Sequence, residues 1–218
     1  INRRDIPIPP GEPPWSPARK QAIHERPIPP PVPAGAYDDL PYATPDATAL
    51  AHRIAGTLGD ATPVHHHVNR GLDHGAFIPL MAMYPAADVP VVQLSMPSMD
   101  PAALLALGER LQSLREEGIL VIGSGAMTHC FTVFRRPELA GHTAAFDQWA
   151  TDAITRGDVD ALIDYRRKGP GADVAHKTPD HFVPLLLTMG ASTTTGQTTT
   201  SGVDGMWFGN SIRSLQMA

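Results

Sequence analysis

A chain of 218 residues, 42% of them hydrophobic, can bury one sizeable core, and a single domain is expected. Its net charge of −5 is mild and points to neither a nucleic-acid nor an anionic-membrane partner. The lone cysteine, Cys130, excludes an internal disulfide framework and suits a reducing cytoplasm. No apolar run is long enough to span a bilayer, and the amino terminus lacks a charged-then-apolar signal sequence.

Residues 1–35 stand apart from the rest. Eleven of the 23 prolines precede Gly35, including Pro29-Pro30-Pro31. Such density excludes a helix or a central strand and predicts an irregular or polyproline arm or leader. Trp15 gives it one apolar anchor, and an arm of this kind suggests docking on a second copy in a homodimer. The globular domain is expected over 36–218.

Ala36 to Tyr42 reads as a turn-rich loop, with Tyr37, Asp38 and Tyr42 as candidate walls of a cleft. Asp46 can cap a helix from Ala47 to Leu58, where Leu50, Ala51, Ile54 and Leu58 recur at helical spacing and Gly59 is the stop. Val64 opens a short strand into His65-His66-His67. Pro79 to Tyr84 predicts a short helix, and Val89 to Met96 a strand. Asp100 caps an amphipathic helix with Leu104, Leu107, Leu111 and Leu114 on its inward face, ended by Gly118.

Gly118-Ile-Leu-Val-Ile-Gly-Ser-Gly-Ala-Met-Thr-His129 follows at once. Its run from Ile119 to Ile122 reads as a parallel strand buried on both faces. Gly123 and Gly125 allow a sharp turn at the strand's carboxyl end, where open α/β sheets keep their ligand sites, and His129 would stand at the mouth of a cleft. Helices are expected over His142 to Arg156 and from Asp158 through Tyr165. Asp180 to Met189 is apolar, with Pro184 too near its start to break it. Gly190 to Gly202 has the composition of a flexible loop, and Val203 to Met217 of closing strands. These patterns give a single α/β domain, with a central mixed sheet flanked by helices.

Several segments carry a resemblance: Arg70-Gly-Leu-Asp-His-Gly-Ala-Phe-Ile-Pro-Leu80, Ala87 to Ser95, the glycine-rich stretch ending at His129, Ala175-His-Lys-Thr-Pro-Asp-His-Phe-Val-Pro-Leu185, and Asp204-Gly-Met-Trp-Phe-Gly209. In this order and spacing they resemble the class III extradiol ring-cleavage dioxygenases of the DOPA-dioxygenase type, over roughly residues 36–218. The resemblance implies O2-dependent cleavage of a small catechol-like substrate at a non-haem metal. Iron(II) is the expected metal and zinc the alternative.

It also assigns roles. His129 matches the family histidine that acts as acid/base, although the family's usual His-Asn-Leu reads His129-Cys-Phe here. An imidazole titrates near neutrality and can take and return a phenol proton. His74, between Gly71 and Gly75, would hold the catechol or polarise dioxygen, with Asp73 able to orient its ring. His181 matches the carboxyl-terminal metal ligand, and His176 is expected in its second shell or at the surface. His52 and His142 read as ordinary helix residues. Side chains of successive strand residues point to opposite faces, so His65, His66 and His67 cannot all face one metal.

Two departures bear on function. The family's Ser-His-Gly and Ser-Ala-His-Trp motifs, which supply the other two metal ligands, are absent, and His24 only faintly echoes the second. A non-haem iron site needs three protein ligands on one face. The alternative is therefore a non-catalytic or metal-free paralogue, without a cofactor, that binds a phenolic ligand or a partner subunit.

Overall fold

A computed structural model describes residues 42–59, 64–67, 71–192 and 199–217. The proline-rich arm, Tyr37, Asp38 and His24 lie outside them. One compact unit spans Tyr42–Ala218. Its class is α/β, with the helices forming most of the core. Among the described residues, no helix is long and apolar enough to cross a membrane.

Asp46 does start the first helix, α1 (Thr48–Leu58): its carboxylate accepts from the Thr48 amide and hydroxyl. Gly59, at φ 57°, ends it. The second, α2 (His74–Met83), begins five residues before the helix expected at Pro79, because Asp73 caps it by accepting from Ala76 N–H. Pro79 sits inside α2 and has no N–H to give the Gly75 carbonyl. The Ser124 hydroxyl donates to that carbonyl instead.

In α3 (Pro101–Leu111), Asp100 caps Ala102 and Ala103 at 2.8 and 3.1 Å, and Pro101 occupies the first turn. Leu104, Leu107 and Leu111 are buried, and a 3₁₀ turn over Gln112–Glu117 adds Leu114 before Gly118 stops it at φ 75°. The long helix α4 (Ala140–Arg156) buries Phe146 and Ile154. The helix expected from Asp158 through Tyr165 divides at Asp164 into α5 (Val159–Ile163) and α6 (Tyr165–Lys168). Then come α7 (Ala172–Ala175), a 3₁₀ turn over Pro179–His181, and α8 (Pro184–Ala191) with Pro184 in its first turn.

The core centres on the crossing of α3 and α8. A Cβ at Gly108 would lie 2.0 Å from the Leu187 carbonyl oxygen, and one at Gly190 would lie 2.1 Å from that of Leu105. The two helix backbones are therefore in contact, which only residues without a side chain permit. Phe146, Tyr165 and Phe182 pack beside this crossing with their rings 4.5 to 6.2 Å apart.

The β-structure departs from the expected central mixed sheet. Among the described residues the strands form two antiparallel pairs: β1 (Thr199–Val203) with β4 (Ser214–Met217), and β2 (Met206–Trp207) with β3 (Asn210–Ser211). Of the loop expected over Gly190 to Gly202, Gly190 and Ala191 belong to the end of α8 and residues 199–202 to β1, while residues 193–198 lie outside the described ones. Residues 89–96 and 119–122 run without helix or strand pairing. Nor is Ile119 to Ile122 covered on both faces: Leu120 and Ile122 are 61% and 45% exposed, whereas Ile119 and Val121 pack on the core. That alternation is what one buried face produces in an extended chain. A ladder needs a second chain segment alongside, and the described residues place none there.

Candidate functional site

Three segments converge: the start of α2, the glycine-rich stretch from Gly123 to Cys130, and the run from Ala175 to Phe182. The main chain stitches the last two together. His129 N–H donates to the Ala175 carbonyl at 2.9 Å, Ala126 N–H donates to the His181 carbonyl at 2.8 Å, and His129 and His176 form a parallel bridge. Gly123 and Gly125 permit this approach. A Cβ at Gly125 would lie 2.3 Å from His181 O, and one at Gly123 2.2 Å from the Thr188 hydroxyl oxygen. The glycines expected to allow a sharp turn thus serve close contact with the chain around His181 and with α8.

As a result the imidazoles of His129 and His181 stack, centroids 3.4 Å apart and planes 15° from parallel. Burial pushes the His181 pKa down, and the nearby charge of His74 adds to that. The Asp180 carboxylate, 3.5 Å from His181 Nε2, acts in the opposite direction. His74 begins α2 beside the Gly75–Ser124 hydrogen bond, which fastens this helix to the glycine-rich stretch. His129 and His181 therefore meet, and His74 lies within electrostatic reach of His181. Asp73 caps α2, its carboxylate accepting from Ala76 N–H and also from the Gln93 side-chain amide.

His176 is a core residue, 1% exposed, rather than a surface one. Its Nε2 lies 2.9 Å from the Met127 carbonyl, which fixes the Nε2–H tautomer. Its Nδ1 is buried with no hydrogen-bond partner among the described residues. Burial among Phe146, Tyr165 and Phe182 is the main reason its pKa falls to about 4. His65, His66 and His67 are exposed on a segment that forms no strand, and the His66 ring lies 5.2 Å from that of His52. His52 and His142 are exposed helix residues. Tyr42 donates its hydroxyl to the Tyr84 carbonyl.

Two features of the site carry no sequence motif. Asn210, in β3, takes both backbone groups of Cys130: its Oδ1 accepts from Cys130 N–H at 2.7 Å and its Nδ2 donates to Cys130 O at 3.1 Å. Phe131 sets its ring edge-on to His129 at 4.6 Å. Only the Phe208-Gly209 pair, a plausible hairpin turn, signals that a chain reversal lies next to Asn210.

A metal lies in the plane of an imidazole that binds it, along the nitrogen lone pair. Two rings stacked at 3.4 Å have no such point in common, so His129 and His181 are not a chelating pair. Among the described residues, no group of three His, Cys, Asp or Glu side chains could hold a metal ion. They offer one imidazole, His181, with a carboxylate beside it, and do not by themselves fit a three-ligand iron site.

Comparison with known proteins identifies the family. Residues 29–205 match the family model for the catalytic LigB subunit of aromatic ring-opening dioxygenase. The chain is 42% identical over 156 residues to a 4,5-DOPA dioxygenase extradiol of Beta vulgaris, covering 69% of this chain and 58% of that protein. It is 37% identical to the one from Portulaca grandiflora over 73% of this chain and 61% of that protein, and 34% identical to the one from Escherichia coli K12 over 70% and 59%. The crystal structure of the uncharacterized protein JW3007 from E. coli K12 superposes with a TM-score of 0.71 at 32% identity, over 82% of this chain and 75% of that one. The chain thus spans about three fifths of the length of the curated relatives it matches. By the match over residues 29–205 and by these relatives, the chain belongs to the family of the catalytic LigB subunit of aromatic ring-opening dioxygenases.

Proposed function

We propose that the protein opens a catechol-type aromatic ring with O2 in the extradiol manner, inserting both oxygen atoms at a bond beside the diol. The juxtaposition of His129 and His181, with His74 in electrostatic reach, carries this reading. His129 is the acid/base: it accepts a phenol proton and returns it as the ring opens. His74 hydrogen-bonds the catechol or the dioxygen. His181, kept neutral by burial, offers its lone pair as one metal ligand. The metal, iron(II) or else zinc, would hold catechol and dioxygen side by side.

One observation favours a second reading. The described residues provide no three-ligand group, as in a metal-free paralogue that keeps a phenol-binding pocket or docks on a partner subunit. Metal content per chain, measured together with oxygen uptake on 4-methylcatechol, separates the two. Near-stoichiometric iron and catechol-dependent uptake support the dioxygenase. Binding of the catechol without metal or uptake supports the paralogue.

A further inference from the structure

An unbroken row of rings leads out of the histidine site. His129 meets Phe131 edge-on at 4.6 Å, Phe131 lies 6.0 Å from Phe134, Phe134 lies 5.8 Å from Phe208, and Phe208 lies 4.9 Å from Trp207. All four of these hydrophobic side chains face solvent, Phe131, Trp207 and Phe208 by 63–68%. Apolar rings on this scale, joined into one strip, mark a surface that something covers.

The strip is also held firmly. Phe208 stands at φ 45°, a left-handed conformation that costs a bulky residue energy and persists only where its surroundings impose it. The surroundings do so next door. Gly209 packs so closely that a Cβ there would lie 2.6 Å from Val133, the Thr143 hydroxyl donates to Gly209 O at 2.6 Å, and Asn210 grips both backbone groups of Cys130. The β2–β3 hairpin is thus clamped to the segment that bears His129, with its aromatic tip turned outward.

We propose that this strip is the wall that binds the substituent of the substrate, and that the substrate is a catechol carrying an aryl or other large apolar group. The inference rests on the dioxygenase reading for the position of the reacting ring, beside His129. From there the substituent runs over Phe131 and Phe134 towards Phe208 and Trp207. The rings along this path carry no charge to meet an amino-acid-like substituent. Of the nearby arginines, Arg213 is engaged by Asp147 and Asp204 and Arg136 by Glu138, while exposed Arg135 flanks Phe134.

The test measures binding and turnover separately in the full chain, with 4-phenylcatechol, 4-methylcatechol and 3,4-dihydroxyphenylalanine. Binding is followed by calorimetry under nitrogen, turnover by oxygen uptake. Wild-type protein should bind 4-phenylcatechol about tenfold more tightly than the other two, the scale of one or two aromatic contacts. Phe134→Ala and Phe208→Gly should each remove much of that preference, with a smaller effect on 4-methylcatechol. The glycine retains the turn's backbone conformation, so loss of the ring is not confused with loss of the hairpin. Equal affinity for the three compounds, tighter binding of the amino acid, no binding at all, or an unchanged preference in both variants overturns the wall. If the variants instead shift the sedimentation coefficient while the preference stays, the strip is a contact between copies, and the proposal fails. Selective binding without oxygen uptake would leave the wall standing and remove the dioxygenase reading. Uptake without selectivity would do the reverse.

Discussion

The rings of His129 and His181 lie face to face at 3.4 Å, yet they reach this position from segments more than fifty residues apart. Parallel planes give the two side chains separate tasks. His129→Gln should therefore leave bound metal and the fold unchanged while lowering turnover by roughly 10² to 10⁴, because glutamine cannot accept a phenol proton at neutral pH. Steady-state oxygen uptake on a catechol checks this, and the pH–rate profile should lose its limb near neutrality. Loss of metal together with activity would make His129 a ligand.

His181→Ala should lower metal occupancy, whereas replacing His65, His66 and His67 together should not. The first lies at the site, partly buried beside Asp180, and the other three are exposed on a segment without helix or strand, with the His66 ring beside His52. Elemental analysis of the two purified variants decides, and equal loss in both would reverse the assignment.

His176 makes stability depend on pH. Its folded value of about 4 lies below the ordinary 6.5, chiefly because burial opposes the charged ring. The unfolded chain therefore binds a proton that the folded chain refuses. The stabilisation is fully present above pH 6.5, is lost as pH falls towards 4, and at the bottom of that interval its loss amounts to about 3 kcal/mol. Urea unfolding at pH 7 and pH 4.5 should show the wild type losing more stability than His176→Gln, whose amide can still donate to Met127 O.

Ser124 stands in for the amide that Pro79 lacks. Ser124→Ala leaves the Gly75 carbonyl without that donor and should cost about 1 kcal/mol. Pro79→Ala in the same background restores a backbone N–H at the right place in α2 and should recover part of the loss. A double-mutant cycle in urea reads the coupling. Strictly additive effects would mean that the two groups do not share the carbonyl.

Gly190→Ala should be among the most damaging single-methyl additions in the chain. Its Cβ meets a backbone carbonyl at 2.1 Å, which cannot yield as a side chain can. Overpacking of this kind costs about 1–3 kcal/mol or more. Gly56→Ala, at an exposed site in α1 with nothing within 4 Å, should be neutral or stabilising. Thermal melts of the two variants compare them directly.

The helices were legible in the sequence because their signals are local. Asp100 with the leucines of α3, Gly59 and Gly118 as stops, and Asp158 as a cap all act within a turn or two. Strand pairing is not local. Ile119 to Ile122 has the composition of a buried parallel strand, but composition does not specify what lies alongside, and the described residues supply no ladder there. The site divides in the same way. His74, His129 and His181 stood out through short motifs around each, and the structure brings the His129 and His181 segments together. The Asn210 clamp, the Gly108–Gly190 crossing and the burial of His176 depend on segments distant in the chain and left no periodic trace. Asp73 shows how one local signal serves two ends: an aspartate before a histidine can orient a ring or cap a helix, and here it caps a helix that begins earlier than Pro79 suggests.

Asn210 and Cys130 are 80 residues apart, and Ser211 meets the Thr128 hydroxyl across 83. On the ribosome the histidine-bearing segment emerges long before the hairpin that grips it. Closing so long a loop carries an entropic cost that a helix such as α4 does not bear. Helices can therefore form on the growing chain while the main chain at Cys130 still lacks its partner. Among the described surroundings of His129, those around residue 210 are completed last, and a chain halted short of residue 210 would carry a largely helical core around an unset histidine.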